Sequence, residues 1–189
     1  VSYMPCVTFA GGVCVLVPTR AENGFVITPE MIRPFITPRT KALILPYPNN
    51  PTGGVMRRAD MEPLADMLEE TGIAVIADEI YAELNYTGEK HLSFAAIGNM
   101  KERTVTLNGF SKAFAMTGWR MGYACAPKPI LDVMLRVHQY TIMCAPTLGQ
   151  YAALEALKSG FETDFADVKR MVTQYDRRRR GAVGGWGAR

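Results

Sequence analysis

The chain has 189 residues, 48% of them apolar and 21% charged, with a formal net charge of +3. That is enough for one sizeable domain and too little for two large ones, and the balance excludes disordered and collagen-like classes. The small charge makes no case for nucleic acid, no apolar run reaches the length of a membrane span, and VSYMPC lacks the basic segment and apolar core of a secretory signal.

The chain starts on Val1, so a preceding segment is expected. Val13–Pro18, a β-branched run closed by proline, reads as a strand. Thr28 and Pro29 form a helix-start pair. Lys41–Tyr47 reads as a second strand, running into the turn PNNPTGG. Asp60 is expected to cap a helix with Met61, Leu64, Ala65 and Leu68 on one face and Pro63 in its first turn. Gly72–Asp78, Arg103–Phe110 and Arg120–Pro127 complete the strands, and three helical stretches come after them. The last stretch carries Phe161, Phe165, Val168, Val172 and Tyr175 on one side. Strands that are apolar throughout and alternate with helices predict a mostly parallel sheet with helices on both faces, an α/β fold. The four glycines of residues 181–189 propagate a helix poorly, so that segment reads as a frayed or non-native tail beyond a domain spanning 1–180.

Cys6, Cys14, Cys125 and Cys144 lack CxxC spacing and sit among apolar neighbours, which predicts reduced thiols in a cytoplasmic core. His91 and His138 have no partner nearby in sequence, so no histidine metal site is expected. The run Arg177–Arg180 reads as the solvated end of a long helix rather than a nucleic-acid surface.

In open α/β sheets ligands bind beyond the carboxyl ends of the strands. This sequence delivers Asn49 and Asn50, then Asp78 and Tyr81, then Asn108, Ser111 and Lys112, with Arg120 opening the last strand. Each has a plain alternative. Asn50 can be a turn former, Asp78 a helix cap, Tyr81 a packed aromatic, Lys112 a surface lysine, and Arg120 an ion-pair partner of Asp78 or Glu79. Taken together they match one cofactor, pyridoxal 5′-phosphate (PLP). It needs a lysine for a Schiff base, a carboxylate at its pyridine nitrogen, donors to its 3′-oxygen, and a cation with hydroxyls for its phosphate.

NNPTG, ADEIY and SKAFAMTGWRMG, in this order and spacing, resemble the large domain of the class I/II aminotransferases, the fold-type-I PLP enzymes related to aspartate aminotransferase. The resemblance runs from Val1 to about Arg180. It implies that Lys112 is the Schiff-base lysine and Asp78 the partner of the pyridine nitrogen, with Asn50 and Tyr81 on the 3′-oxygen. Arg120, with Ser111 beside it, would bind the phosphate. It further implies transamination between an amino acid and a 2-oxo acid, a homodimer, and no nucleic-acid or membrane partner.

The sequence departs from the family at Gly109, where many relatives carry a serine. VSY resembles the residues just after the family's ring-stacking aromatic. The family's glycine-rich phosphate loop lies before this region, and its small domain, with the arginine that grips the substrate carboxylate, lies after it. The expectation is therefore a partial large domain with weak cofactor binding and little turnover, and with apolar surface left exposed. The same lysine, aspartate and tyrosine would serve a carbon–sulfur lyase of this fold, and a non-catalytic remnant or regulator effector domain is the third reading; MTGWR favours the transaminase by resemblance.

Overall fold

The structure, a computed structural model, describes residues 2–186. Its main elements are α1 (Tyr3–Phe9), α2 (Pro29–Ile32), β1 (Ala42–Leu45), α3 (Arg58–Glu69), β2 (Ala74–Asp78), β3 (Thr104–Gly109), β4 (Gly122–Cys125), α4 (Lys128–Thr141), α5 (Thr147–Glu162) and α6 (Ala166–Trp186). The four strands form one sheet in the order β1-β2-β3-β4. The first three are parallel, with Leu45 opposite Ala77 and Asp78 opposite Leu107. β4 runs antiparallel to β3, with Gly109 opposite Gly122.

That reversal decides where the chemistry gathers. A parallel β4 would put its first residue at the far end of the sheet. Antiparallel, it brings Met121 and Gly122 to the same edge as the carboxyl ends of β1, β2 and β3. The four segments beginning at Pro46, Glu79 and Phe110 and ending at Met121 therefore share one edge.

α3 supplies most of the core on one face of the sheet. Met61, Leu64, Ala65 and Leu68 recur at helical spacing and are all buried. They pack with Leu45, Val75 and Ala77 in one cluster, in which Leu64, Leu68 and Val75 are 0% exposed. Full burial of one such leucine is worth about 1.5–3 kcal/mol. A smaller cluster joins Phe110 and Met116 to Ala153 of α5. In β2 the residues alternate between buried and half-buried, so Ala74, Ile76 and Asp78 share the less covered face.

Several expectations are corrected. Arg57, not Asp60, is the N-cap of α3; Asp60 reaches back and accepts the Arg57 N–H at 2.8 Å. Pro63 lies inside the helix rather than in its first turn. Val13–Pro18 forms no strand, and Val13, Val15 and Leu16 are exposed, because no neighbouring strand supplies the ladder that apolar sequence alone cannot. The apolar stripe expected on the last helix is split: Asp164 and Phe165 take φ of 50° and 54°, which ends α5 before α6 begins. Phe161 and Phe165 still meet edge to face across the break, with ring centroids 5.2 Å apart.

The arginine run lies inside α6, not at its end, and Asp176 bonds both Arg179 and Arg180 one turn on. α6 also continues through residues 181–186 of the expected tail; residues 187–189 lie outside the described ones. The four cysteines are free as expected but not in a core: Cys6, Cys125 and Cys144 are exposed. α4 buries none of its side chains and exposes Leu131, Val133, Leu135, Val137 and Tyr140. Among the described residues no helix is long and apolar enough to cross a membrane.

Candidate active site at the carboxyl edge of the sheet

The turn after β1 divides its two asparagines by task. Asn49 builds the turn: its side chain donates to the Pro46 carbonyl at 3.2 Å and accepts the Thr52 hydroxyl at 2.8 Å. Its backbone N–H donates to the Gly54 carbonyl at 2.9 Å, and its own carbonyl accepts the Gly53 N–H at 2.8 Å. Asn50 is thereby released from turn duty, and its Nδ2 donates to the Tyr81 hydroxyl at 3.2 Å. Tyr81 comes from the segment after β2, 31 residues away in sequence. Lys112, after β3, places Nζ 5.4 Å from the centroid of the same tyrosine ring, within cation–π range. Three strand ends thus meet on one phenol.

Asp78 closes β2, and no helix comes directly after it, so it caps none. Its Oδ1 accepts the Ile80 N–H at 3.2 Å, a local turn. Its Oδ2 accepts the hydroxyl of Tyr3 at 2.5 Å, from α1. Burial, then the hydrogen bond to Asp78 and the neighbouring Asp78 and Tyr81 charges, push the Tyr3 phenol well above the ordinary phenol range. Tyr3 therefore stays a donor. Sequence reading missed it, since no spacing within ADEIY points 75 residues upstream.

The loop after β3 folds back on itself. The Thr117 hydroxyl donates to the Ser111 carbonyl at 2.9 Å, and the Thr117 carbonyl accepts from the Arg120 guanidinium at 3.0 Å. Ser111 and Arg120 are so brought into one turn. Arg120 has a left-handed backbone, φ 55°, and an exposed side chain. Among the described residues it pairs with neither Asp78 nor Glu79. Glu79 is instead buried on its own network, accepting the Ser93 hydroxyl at 2.8 Å and the Phe94 N–H at 3.1 Å, with His91 Nε2 at 3.0 Å.

Gly109 has a packing cause. A Cβ there would stand 2.8 Å from the Met121 carbonyl oxygen and 2.9 Å from the Gly122 Cα, both backbone atoms of the adjoining strand. A serine does not fit without moving β4.

A cleft of about 530 Å³ opens beside Asn50 and Tyr81, lined also by Asn85, Tyr86 and Thr87 and by Arg179 of α6. The Arg179 guanidinium lies 5.3 Å from the Tyr86 ring centroid and is held by Asp176 at 2.6 Å. The arginine run was legible in sequence, but its delivery of one member to this cleft was not.

Comparison with known proteins identifies the family. The sequence model described as "Aminotransferase class I and II" matches residues 1–187. The chain belongs to that family. The aspartate/prephenate aminotransferase of Thermus thermophilus is 47% identical over 179 residues, 95% of this chain and 46% of that protein. The aromatic-amino-acid aminotransferase 2 of Thermococcus litoralis is 44% identical over 179 residues, again 95% of this chain and 46% of its own length. The solved structure of the Thermus thermophilus aspartate aminotransferase with maleate superposes with a TM-score of 0.93 at 45% identity, covering 99% of this chain and 48% of that one. The chain therefore spans about half the length of the relatives it matches.

Proposed function

We propose that the protein to which this chain belongs is a PLP-dependent aminotransferase that moves an amino group between an amino acid and a 2-oxo acid. The observation that carries this is the meeting of Asn50, Tyr81 and Lys112 on one phenol at the edge where Asp78 ends β2.

The donor set fits the cofactor. Asn50 spends one of its two amide hydrogens on Tyr81, and Tyr81, accepting there, keeps its own proton. Both can donate to the cofactor's 3′-oxygen. Asp78 would offer a carboxylate to the pyridine nitrogen and so favour its protonated form. Arg120 uses one N–H on Thr117 and retains others for a phosphate, with the Ser111 hydroxyl in the same turn. When bound, pyridoxal phosphate supplies a ring that stabilises negative charge at the substrate α-carbon. Lys112 Nζ would be the amine that holds the cofactor, and would take the proton from the substrate α-carbon and deliver it to the cofactor carbon that keeps the amino group.

The substrate side chain is not ranked by similarity, since relatives of nearly equal identity are named for aspartate, prephenate and aromatic amino acids. A homodimer in the cytoplasm is the assembly and compartment we assign. The exposed apolar side chains of α4 are the kind of surface that assembly or further chain covers. The test is cofactor titration of the chain with visible absorption as the readout. A band that forms with wild type and fails to form with Lys112→Ala supports the reading; identical spectra contradict it. Amino transfer to 2-oxoglutarate by a protein of the relatives' full length then separates a transaminase from a lyase, which would release ammonia. We expect little transfer by the 189-residue chain itself.

A further inference from the structure

Tyr3 belongs to none of the three motifs that carry the cofactor reading, yet it makes the one side-chain hydrogen bond seen on Asp78 among the described residues. We propose that Tyr3 is a positioning residue for Asp78, fixing the carboxylate in the orientation in which it meets the pyridine nitrogen of the cofactor. The inference rests on the reading that Asp78 faces that nitrogen.

The terminal torsion of an aspartate carboxylate is broad and roughly two-fold, so the backbone alone does not fix it. Here each oxygen has one donor. The Ile80 N–H bonds Oδ1 at 3.2 Å and the Tyr3 hydroxyl bonds Oδ2 at 2.5 Å. The first is long, local and backbone-borne. The second is short and comes from another element. Together they pin both ends of the carboxylate and leave each oxygen a free lone pair for a further donor.

A hydrogen bond to a charged acceptor is stronger than one between neutral groups, and a partner that orients a functional group is costly to remove. The donor does not ionise in the working range, because burial, and then the hydrogen bond to Asp78 and the charge beside it, oppose a phenolate there. Tyr3 is also half-buried, so water replaces its hydroxyl poorly. Without it Asp78 loses its orientation. The expected signature is therefore weaker cofactor binding that depends on Asp78 being present.

The experiment titrates PLP into wild type, Tyr3→Phe, Asp78→Asn and the double variant, monitoring the visible band and its pH midpoint. Tyr3→Phe should weaken binding about tenfold and shift the pH midpoint of the band. In the Asp78→Asn background the same change should cost no more than about twofold, since the two residues act as one unit. Tyr3→Phe binding like wild type while Asp78→Asn does not would overturn the inference alone. Asp78→Asn binding with an unchanged band would instead overturn the cofactor reading beneath it. Should Tyr3→Phe fail to fold, phenolate absorbance in the cofactor-free chain decides. One of the eight phenols should ionise at lower pH in Asp78→Asn than in wild type, and coincident titrations would overturn the contact.

Discussion

Replacing Glu79 by alanine tests how the loop beside the cleft is held. Glu79 is only 4% exposed, and its Oε1 accepts both the Ser93 hydroxyl at 2.8 Å and the Phe94 N–H at 3.1 Å. His91 Nε2 stands 3.0 Å from the other oxygen, an ion-pair distance, yet it lacks a hydrogen bond of good angle. The two well-formed bonds therefore set the magnitude. Each bond to a charged acceptor is worth roughly 1.5–3 kcal/mol, and removing the acceptor strands buried donors, so Glu79→Ala should cost about 3–5 kcal/mol. Glu79→Gln keeps an acceptor oxygen and should cost about 1 kcal/mol. The loop tied down this way comes after Asn85, Tyr86 and Thr87, which line the cleft with Asn50 and Tyr81. Urea unfolding gives the number, read as a fall in midpoint at unchanged slope. An alanine variant within about 0.5 kcal/mol of wild type would refute the reasoning.

Leu64→Ala removes a side chain of 0% exposure from the α3 cluster and should cost about 2–5 kcal/mol, checked by the same unfolding curves. Gly109→Ser drives a Cβ to 2.8 Å from the Met121 oxygen and should destabilise by about 1–3 kcal/mol; an unchanged melting temperature would contradict the packing cause. Tyr3 gives a pH prediction. Its folded-state pKa is raised above the ordinary 10.0, so the folded chain holds a proton that the unfolded chain releases. The associated stability is complete below about pH 10 and is lost as pH rises beyond it. Wild type should lose stability above pH 10 more steeply than Tyr3→Phe, and parallel curves would count against it.

Much of the site was legible because its residues sit where strands end. The apolar runs at Lys41–Tyr47, Gly72–Asp78 and Arg103–Phe110 contain β1, β2 and β3, and parallel strands deliver their succeeding loops to one edge. Direction was not legible: apolar periodicity is the same for a parallel and an antiparallel β4, and only the register, running from Thr106 opposite Cys125 to Gly109 opposite Gly122, fixes it. Val13–Pro18 shows the complementary failure, because a strand exists only with a partner to pair with. The break at Asp164–Phe165 rests on left-handed backbone at two non-glycine residues, for which the sequence carries no glycine or proline signal. Tyr3 was invisible for a different reason. A hydrogen bond across 75 residues is tertiary information, and only the fold supplies it.

Lys112 as the amine that takes the cofactor is the central claim. The chain should be mixed with PLP, reduced with borohydride, digested and its labelled peptide sequenced by mass spectrometry. The predicted result is a pyridoxyl group on Lys112. Label confined to other lysines, or none at concentrations that label a protein of the relatives' full length, would contradict it.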